Sequence, residues 1–250
     1  MWFLNKSPKC PITEEDKLFV DQSFSWVLST FGNDVLENEV ILPKGESFCF
    51  KITGTETDVD PIFTSLCSIM GVPKEKICIK YYNERKQIDF GGGLSSQYSE
   101  NVELTAGKYV QFESGDVEIL LEEEQYKNPI ALIATLAHEL AHYKLLYEQR
   151  IDENNEFVTD LLTIVYGLGV FGANTSIVEM QSWNDGGFSG WQVKGGAGYL
   201  HFKVWAYALA YYALLKGDDY RHWADYLEKD VRSIFNKCIK YLECNEFKKE

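Results

Sequence analysis

Between Glu14 and Phe31 apolar side chains recur at mixed spacings of three and four and stop before Gly32, which predicts an amphipathic helix closed by a glycine. Two short runs follow, EVILP at 39–43 and SFCFKI at 47–52, and both read as strands. Asp60 and Pro61 open a helix predicted to reach Met70, with Asp60 as its cap and the proline in its first turn. KICIKYY at 76–82 is a further strand. From Asn83 to Asn101 the chain becomes polar and holds Gly91, Gly92 and Gly93, the composition of a loop or a weak hairpin. KYVQF, the turn ESGD and VEILLEE then alternate as two antiparallel strands with Gly115 in the turn.

Asn128 and Pro129 mark the start of the next helix, because Asn caps well and Pro is tolerated at the first helical position. This helix is predicted to run to about Glu148. Small residues and two histidines, Ala131, Ala134, Thr135, His138 and His142, share one side of it, and Ile133, Leu136, Leu140 and Tyr147 share the other. A helix that is apolar all round is buried. A second apolar helix begins at Glu156, and residues 183–198, with six glycines and two tryptophans, form a long loop that borders the cleft or simply lies on the surface. An aromatic helix at 198–217 ends at Gly217, and a last one runs from Asp218 or Asp219 to about Phe247. The expected class is α+β: one domain over 1–250, with a mixed N-terminal part (1–100), a central part (101–182) and a helical C-terminal part (183–250).

Composition narrows the possibilities. With 45% hydrophobic residues in 250, the chain can bury a large core. A formal charge of −14 argues against nucleic acid and anionic membrane as partners, since neutralising phosphates takes clustered Lys and Arg. Six scattered cysteines without a CxxC pair are expected to be reduced thiols, which favours a cytoplasmic setting. No signal-peptide core precedes Pro8, and no window reaches the length of a membrane span. The glycine triplet lacks the strand-to-helix setting and the GK[ST] of a phosphate loop.

The chemistry centres on residues 134–148, ATLAHELAHYKLLYE. Its HExxH pattern places His138 and His142 four apart on one helical face, able to reach one metal ion, with Glu139 one step round beside the water that such an ion activates. Zinc is the cofactor this pattern predicts. The alternative is two core histidines satisfied by main-chain carbonyls. A catalytic zinc needs a third protein ligand and an open fourth position, and five acidic residues follow. Glu148 is carried about 240° around the helix from His142, and Leu145 stands where a glycine would have to turn the chain back. Asp152 and Glu153 lie in a polar connector. Glu156 and Asp160 share a face at the start of the next helix, and Asp160, set among apolar neighbours, calls for a buried partner.

HELAH followed by Asn155-Glu156-Phe157-Val158-Thr159-Asp160 resembles the gluzincin metallopeptidase signature, HExxH with a downstream NExx[ST]D, known from thermolysin-like enzymes. The short connector makes the chain more similar to the compact minigluzincins. The resemblance covers roughly residues 106–175. It implies a zincin-like fold, with a small sheet and its edge hairpin packed on an active-site helix and a glutamate helix. It further implies His138, His142 and Glu156 as zinc ligands, Glu139 as general base, and Asp160 as a carboxylate orienting one imidazole. Gluzincins also use a His or Tyr on the oxyanion; Tyr199 and His201 are the candidates here, with His222 weaker. The function implied is a zinc-dependent peptidase acting on a peptide or protein substrate, held as an added strand along Tyr109–Glu113 or Val117–Leu121. The alternative is a non-catalytic domain in which zinc staples two helices and the surface binds a protein partner.

Overall fold

The computed structural model describes residues 8–44, 47, 48, 50–82, 106–184 and 200–247. Helix α1 (Glu14–Phe31) starts where Thr13 accepts the Asp16 N–H, and it ends at Gly32, whose N–H returns to Leu28. The two runs read as strands, 39–43 and 47–52, form no ladder among their described residues. Instead the Ile41 N–H donates to the Gly167 carbonyl at 2.9 Å, and Val40 and Leu42 are buried. Gly167 has φ 79°, and a Cβ on it would collide with the Glu39 carbonyl, so this close approach requires glycine.

Helix α2 (Val59–Met70) begins one residue before its expected cap. Asp58 holds that start from a loop, where its Oδ2 accepts the N–H groups of Thr53, Gly54 and Thr55 at 2.7, 2.7 and 3.2 Å. Asp60 is inside the helix and pairs with Lys74.

Strands β1 (Ile77–Tyr82), β2 (Gly107–Gln111) and β3 (Val117–Glu122) make one sheet in the order β1-β3-β2. The predicted hairpin is β2–β3, with Tyr109 opposite Ile119; β1 adds a parallel pairing, Ile79 opposite Ile119. β3 is therefore central, and its ladder groups are used on both sides. Val117–Leu121 has no edge to offer an added strand, which removes one of the two expected docking edges. β2 keeps one. Phe112 N–H bonds Asp116 and Glu122 N–H bonds Ala106, so the alternation turns the main-chain groups of Gly107, Tyr109 and Gln111 outward.

Helix α3 (Pro129–His142) is capped by Asn128, whose Oδ1 accepts the Ala131 N–H at 3.3 Å. Every residue from Leu132 to His142 is buried, between α2, α5 and the sheet. The predicted extension to Glu148 exists, but as a wider π-turn over Tyr143–Tyr147. Glu148 points away from the histidines and pairs with Lys144. The predicted single helix from Glu156 breaks at Gly167 into α4 (Glu156–Val165) and α5 (Gly169–Asn184). Helix α6 (Phe202–Lys216) ends at Gly217 as expected. The expected last helix is two, α7 (Arg221–Ala224) and α8 (Lys229–Asn245).

One apolar cluster runs from Val20 of α1 to Leu242 of α8 and includes Leu66, Ile119, Leu140, Leu162 and Trp205. At its rim α1 meets α6 and the residue after α8, where the Tyr207 hydroxyl donates to Asp21 and Lys17 pairs with Glu246 at 2.7 Å. The architecture is α+β, mostly helical with a small mixed sheet. No helix among the described residues is long and apolar enough to cross a membrane.

Candidate metal centre

Helices α3 and α4 bring three ligand atoms together. The Nε2 atoms of His138 and His142 are 3.1 Å apart, and Glu156 Oε2 is 3.0 Å from the first and 3.2 Å from the second. Among the described residues this is the group of His, Cys, Asp and Glu side chains gathered closely enough to hold an ion. Glu156 reaches it because Asn155 caps α4, accepting the Val158 N–H at 3.2 Å and fixing the first turn against α3.

The surrounding bonds fix which ring nitrogens carry protons. His138 Nδ1 lies 2.8 Å from Asp160 Oδ1, a carboxylate that is 1% exposed and also accepts the Leu200 N–H at 3.0 Å. A proton on Nδ1 satisfies that contact and leaves Nε2 with a lone pair. For His142, Thr159 donates its hydroxyl to the Asn155 carbonyl, so its oxygen is free to accept from Nδ1 at 3.4 Å. His142 Nε2 is then also a lone pair. Asn154 donates to Glu156 Oε1 at 2.6 Å, leaving Oε2 for the centre. With both imidazoles neutral, three acceptors face one another, and a cation among them, a metal ion or else a proton on His138 Nε2, relieves their repulsion.

The triangle suits such a cation. Ligand atoms in a tetrahedral zinc site lie roughly 3.3 Å apart, given bond lengths near 2.0 Å. Edges of 3.0, 3.1 and 3.2 Å match that size. Two imidazoles and one carboxylate favour a transition metal of the zinc type over calcium or magnesium, which prefer oxygen. Charge points the same way. Burial opposes a charged His138, yet Asp160 and Glu156 outweigh it and push its pKa up to about 10. Burial raises Glu156, and the two imidazoles nevertheless hold its carboxyl well below the usual range. The cluster is thus short of positive charge at its centre.

No family model, curated protein or solved structure matches this chain. The ligand set therefore stands on its own geometry.

Glu139 sits beside the triangle on α3, 4% exposed. Among the described residues its Oε2 has no hydrogen-bond partner, and the Tyr109 main-chain N–H is directed at its carboxylate. Burial raises its pKa, against the pull of both imidazoles. The Tyr109 ring covers His142, with centroids 5.8 Å apart.

Of the remaining sequence candidates, Asp152 and Glu153 are exposed in the connector. Tyr199 and residues 185–198 of the loop predicted over 183–198 lie outside the described residues, as does the glycine triplet, while 183 and 184 belong to the end of α5. His201 caps α6, where its Nδ1 accepts the Lys203 N–H at 3.3 Å, and burial lowers its pKa. His222 is exposed and bonded to the Asp219 carbonyl. Sequence reasoning assigned no role to Thr159, Asn154 or the Leu200 N–H. The Thr of NExx[ST]D was a signal for the first; nothing local points to the Leu200 contact, forty residues from Asp160.

Proposed function

We propose that this chain is a zinc-dependent hydrolase of the gluzincin kind that cleaves peptide bonds. The observation that carries the reading is the pairing of a three-acceptor triangle with a buried, unpartnered Glu139 oxygen beside it. When bound, zinc supplies a Lewis acid that polarises a carbonyl and lowers the pKa of a water to near neutrality.

His138, His142 and Glu156 hold the ion, and Asp160 and Thr159 keep both imidazoles turned with Nε2 toward it. Glu139 Oε2 accepts the proton of the attacking water. Its raised pKa lets the same group return that proton to the leaving nitrogen. Glu156, 26% exposed in its side chain, leaves one side of the centre open to solvent and substrate. An extended peptide adds to the outer edge of β2, hydrogen-bonding the main chain of Gly107 and Gln111 and the Tyr109 carbonyl, since the Tyr109 N–H serves Glu139.

The test compares wild type with Glu139→Gln on a mixed peptide pool, after metal analysis of untagged protein. One zinc per chain in both, with cleavage lost in the variant, is the expected result. Equal cleavage by both would remove the role given to Glu139. Zinc in both with cleavage in neither would favour the zinc-stapled interaction domain.

A further inference from the structure

Between β3 and the metal helix lies a polar contact that holding the metal does not explain. Gln125, in the turn leading to α3, donates its Nε2 to Thr135 Oγ1 at 2.6 Å, while its Oε1 is buried without a partner among the described residues. Thr135 stands one helical turn before Glu139 on the same face and is 1% exposed. Its methyl group faces Gly107, the first residue of β2. A Cβ at Gly107 would collide with Thr135 Cγ2 and come within 3.0 Å of Glu139 Oε1 and 3.2 Å of its Cγ. Gly107 needs no unusual backbone angle, so the reason for glycine is space.

From these contacts we infer that Gln125, Thr135 and Gly107 form a clamp that sets the Glu139 carboxylate against β2, making them positioning residues for the base. Gln125 fixes the Thr135 rotamer. The methyl and the bare Cα of Gly107 then define how near β2 approaches α3. That approach puts the Tyr109 N–H on one side of the Glu139 carboxylate and leaves Oε2 for the centre. A strand pushed outward by a single methyl would release the carboxylate without touching His138, His142 or Glu156. The orphan Gln125 oxygen argues against a stabilising purpose, since an unpaired buried acceptor costs free energy and an apolar isostere would avoid that.

The inference rests on the hydrolase reading, and the experiment separates the two. The probe is acetohydroxamic acid, a small bidentate chelator that occupies an open zinc position and hydrogen-bonds a neighbouring carboxylate. Its affinity for the zinc-loaded full chain is measured by calorimetry, beside zinc affinity and Tm. Wild type is expected to bind it and Glu139→Gln to bind it more weakly. Gly107→Ala should bind zinc normally and lose about tenfold in hydroxamate affinity, and adding Thr135→Ser, which deletes the colliding methyl, should restore most of it. Gln125→Met should show a similar loss with Tm unchanged or raised, an outcome that a purely structural role would not give. If Gly107→Ala fails to fold, Gln125→Met decides. Wild-type hydroxamate affinity in these variants, with Glu139→Gln impaired, would overturn the clamp and leave the hydrolase reading standing. Zinc binding without any hydroxamate binding by wild type would end both.

Discussion

At the residue scale, Asp160 carries more than its position suggests. Its two oxygens serve two elements at once, one on the His138 ring and one on the Leu200 main chain. Asp160→Asn keeps the volume but removes the charge that holds the His138 proton on Nδ1, and zinc affinity should fall about 10- to 100-fold in competition with a chromophoric chelator. Thr159→Val, which deletes a weaker acceptor at 3.4 Å, should cost less in the same assay. His138 and His142, and Glu156 and Asp160, were legible as two pairs because helical spacing converts directly into a shared face, and the resemblance to HExxH with NExx[ST]D joined the pairs. Leu200 was not, because a main-chain donor carries no side-chain signature and its distance along the chain says nothing of its distance in space. Gly107 was equally silent. Its meaning is the absence of a Cβ opposite Thr135 and Glu139, and sequence alone does not say what lies opposite.

At the element scale, the helix start at Asn128 and Pro129 was read correctly, and the one at Asp60 and Pro61 was read slightly late because Asp58 stands at its cap. Asn155 caps the helix that delivers Glu156. Asn155→Ala should cost about 1 kcal/mol in denaturant unfolding and also weaken zinc binding, because the frayed turn is the one bearing the ligand. Errors arose where tertiary contacts took over hydrogen bonds that local pattern assigns to a sheet. Residues 39–43 alternate like a strand, yet Ile41 spends its N–H on the loop after α4. Two predicted helices, from Glu156 and from Asp218 or Asp219, were each broken in two. A glycine with positive φ breaks the first, and a turn through Tyr226 breaks the second. The loop closed by Asp58 gives a pH-dependent element. Burial raises the Asp58 pKa, but the N–H groups of Thr53, Thr55 and Gly54 and the Thr53 hydroxyl overcome that and lower it below the usual 3.8. A depressed folded pKa stabilises above the unfolded value and loses that contribution as pH falls through the folded one. Asp58→Asn should therefore lower Tm by a constant amount above about pH 5, with the gap to wild type narrowing below about pH 4.

At the scale of the whole molecule, the metal triangle ties α3 to α4, and those helices sit in a core shared with α1, α2, α5 and α6. Zinc that binds only the folded chain should raise its stability by about 4 kcal/mol at a free concentration 1,000-fold above Kd. For a chain of this size that corresponds to a Tm drop of roughly 10 °C on chelation, checked by melting with and without a chelator. The α+β class and the hairpin itself followed from periodicity, whereas the packing of the hairpin on the metal helix was an implication of the resemblance. The parallel β1–β3 pairing did not, because strand order depends on how the intervening chain crosses the sheet.

The pairing of α1 with segments far along the chain also bears on how the chain is made. Lys17 and Asp21 of α1 leave the ribosome well before their partners, Glu246 after α8 and Tyr207 in α6. During synthesis α1 therefore waits, its apolar side uncovered, while α3 and α4 emerge and can already meet. The metal pair is assembled from neighbours in time, and the shell around it from strangers. A nascent chain that takes up its ion early would carry a finished centre inside an unfinished protein.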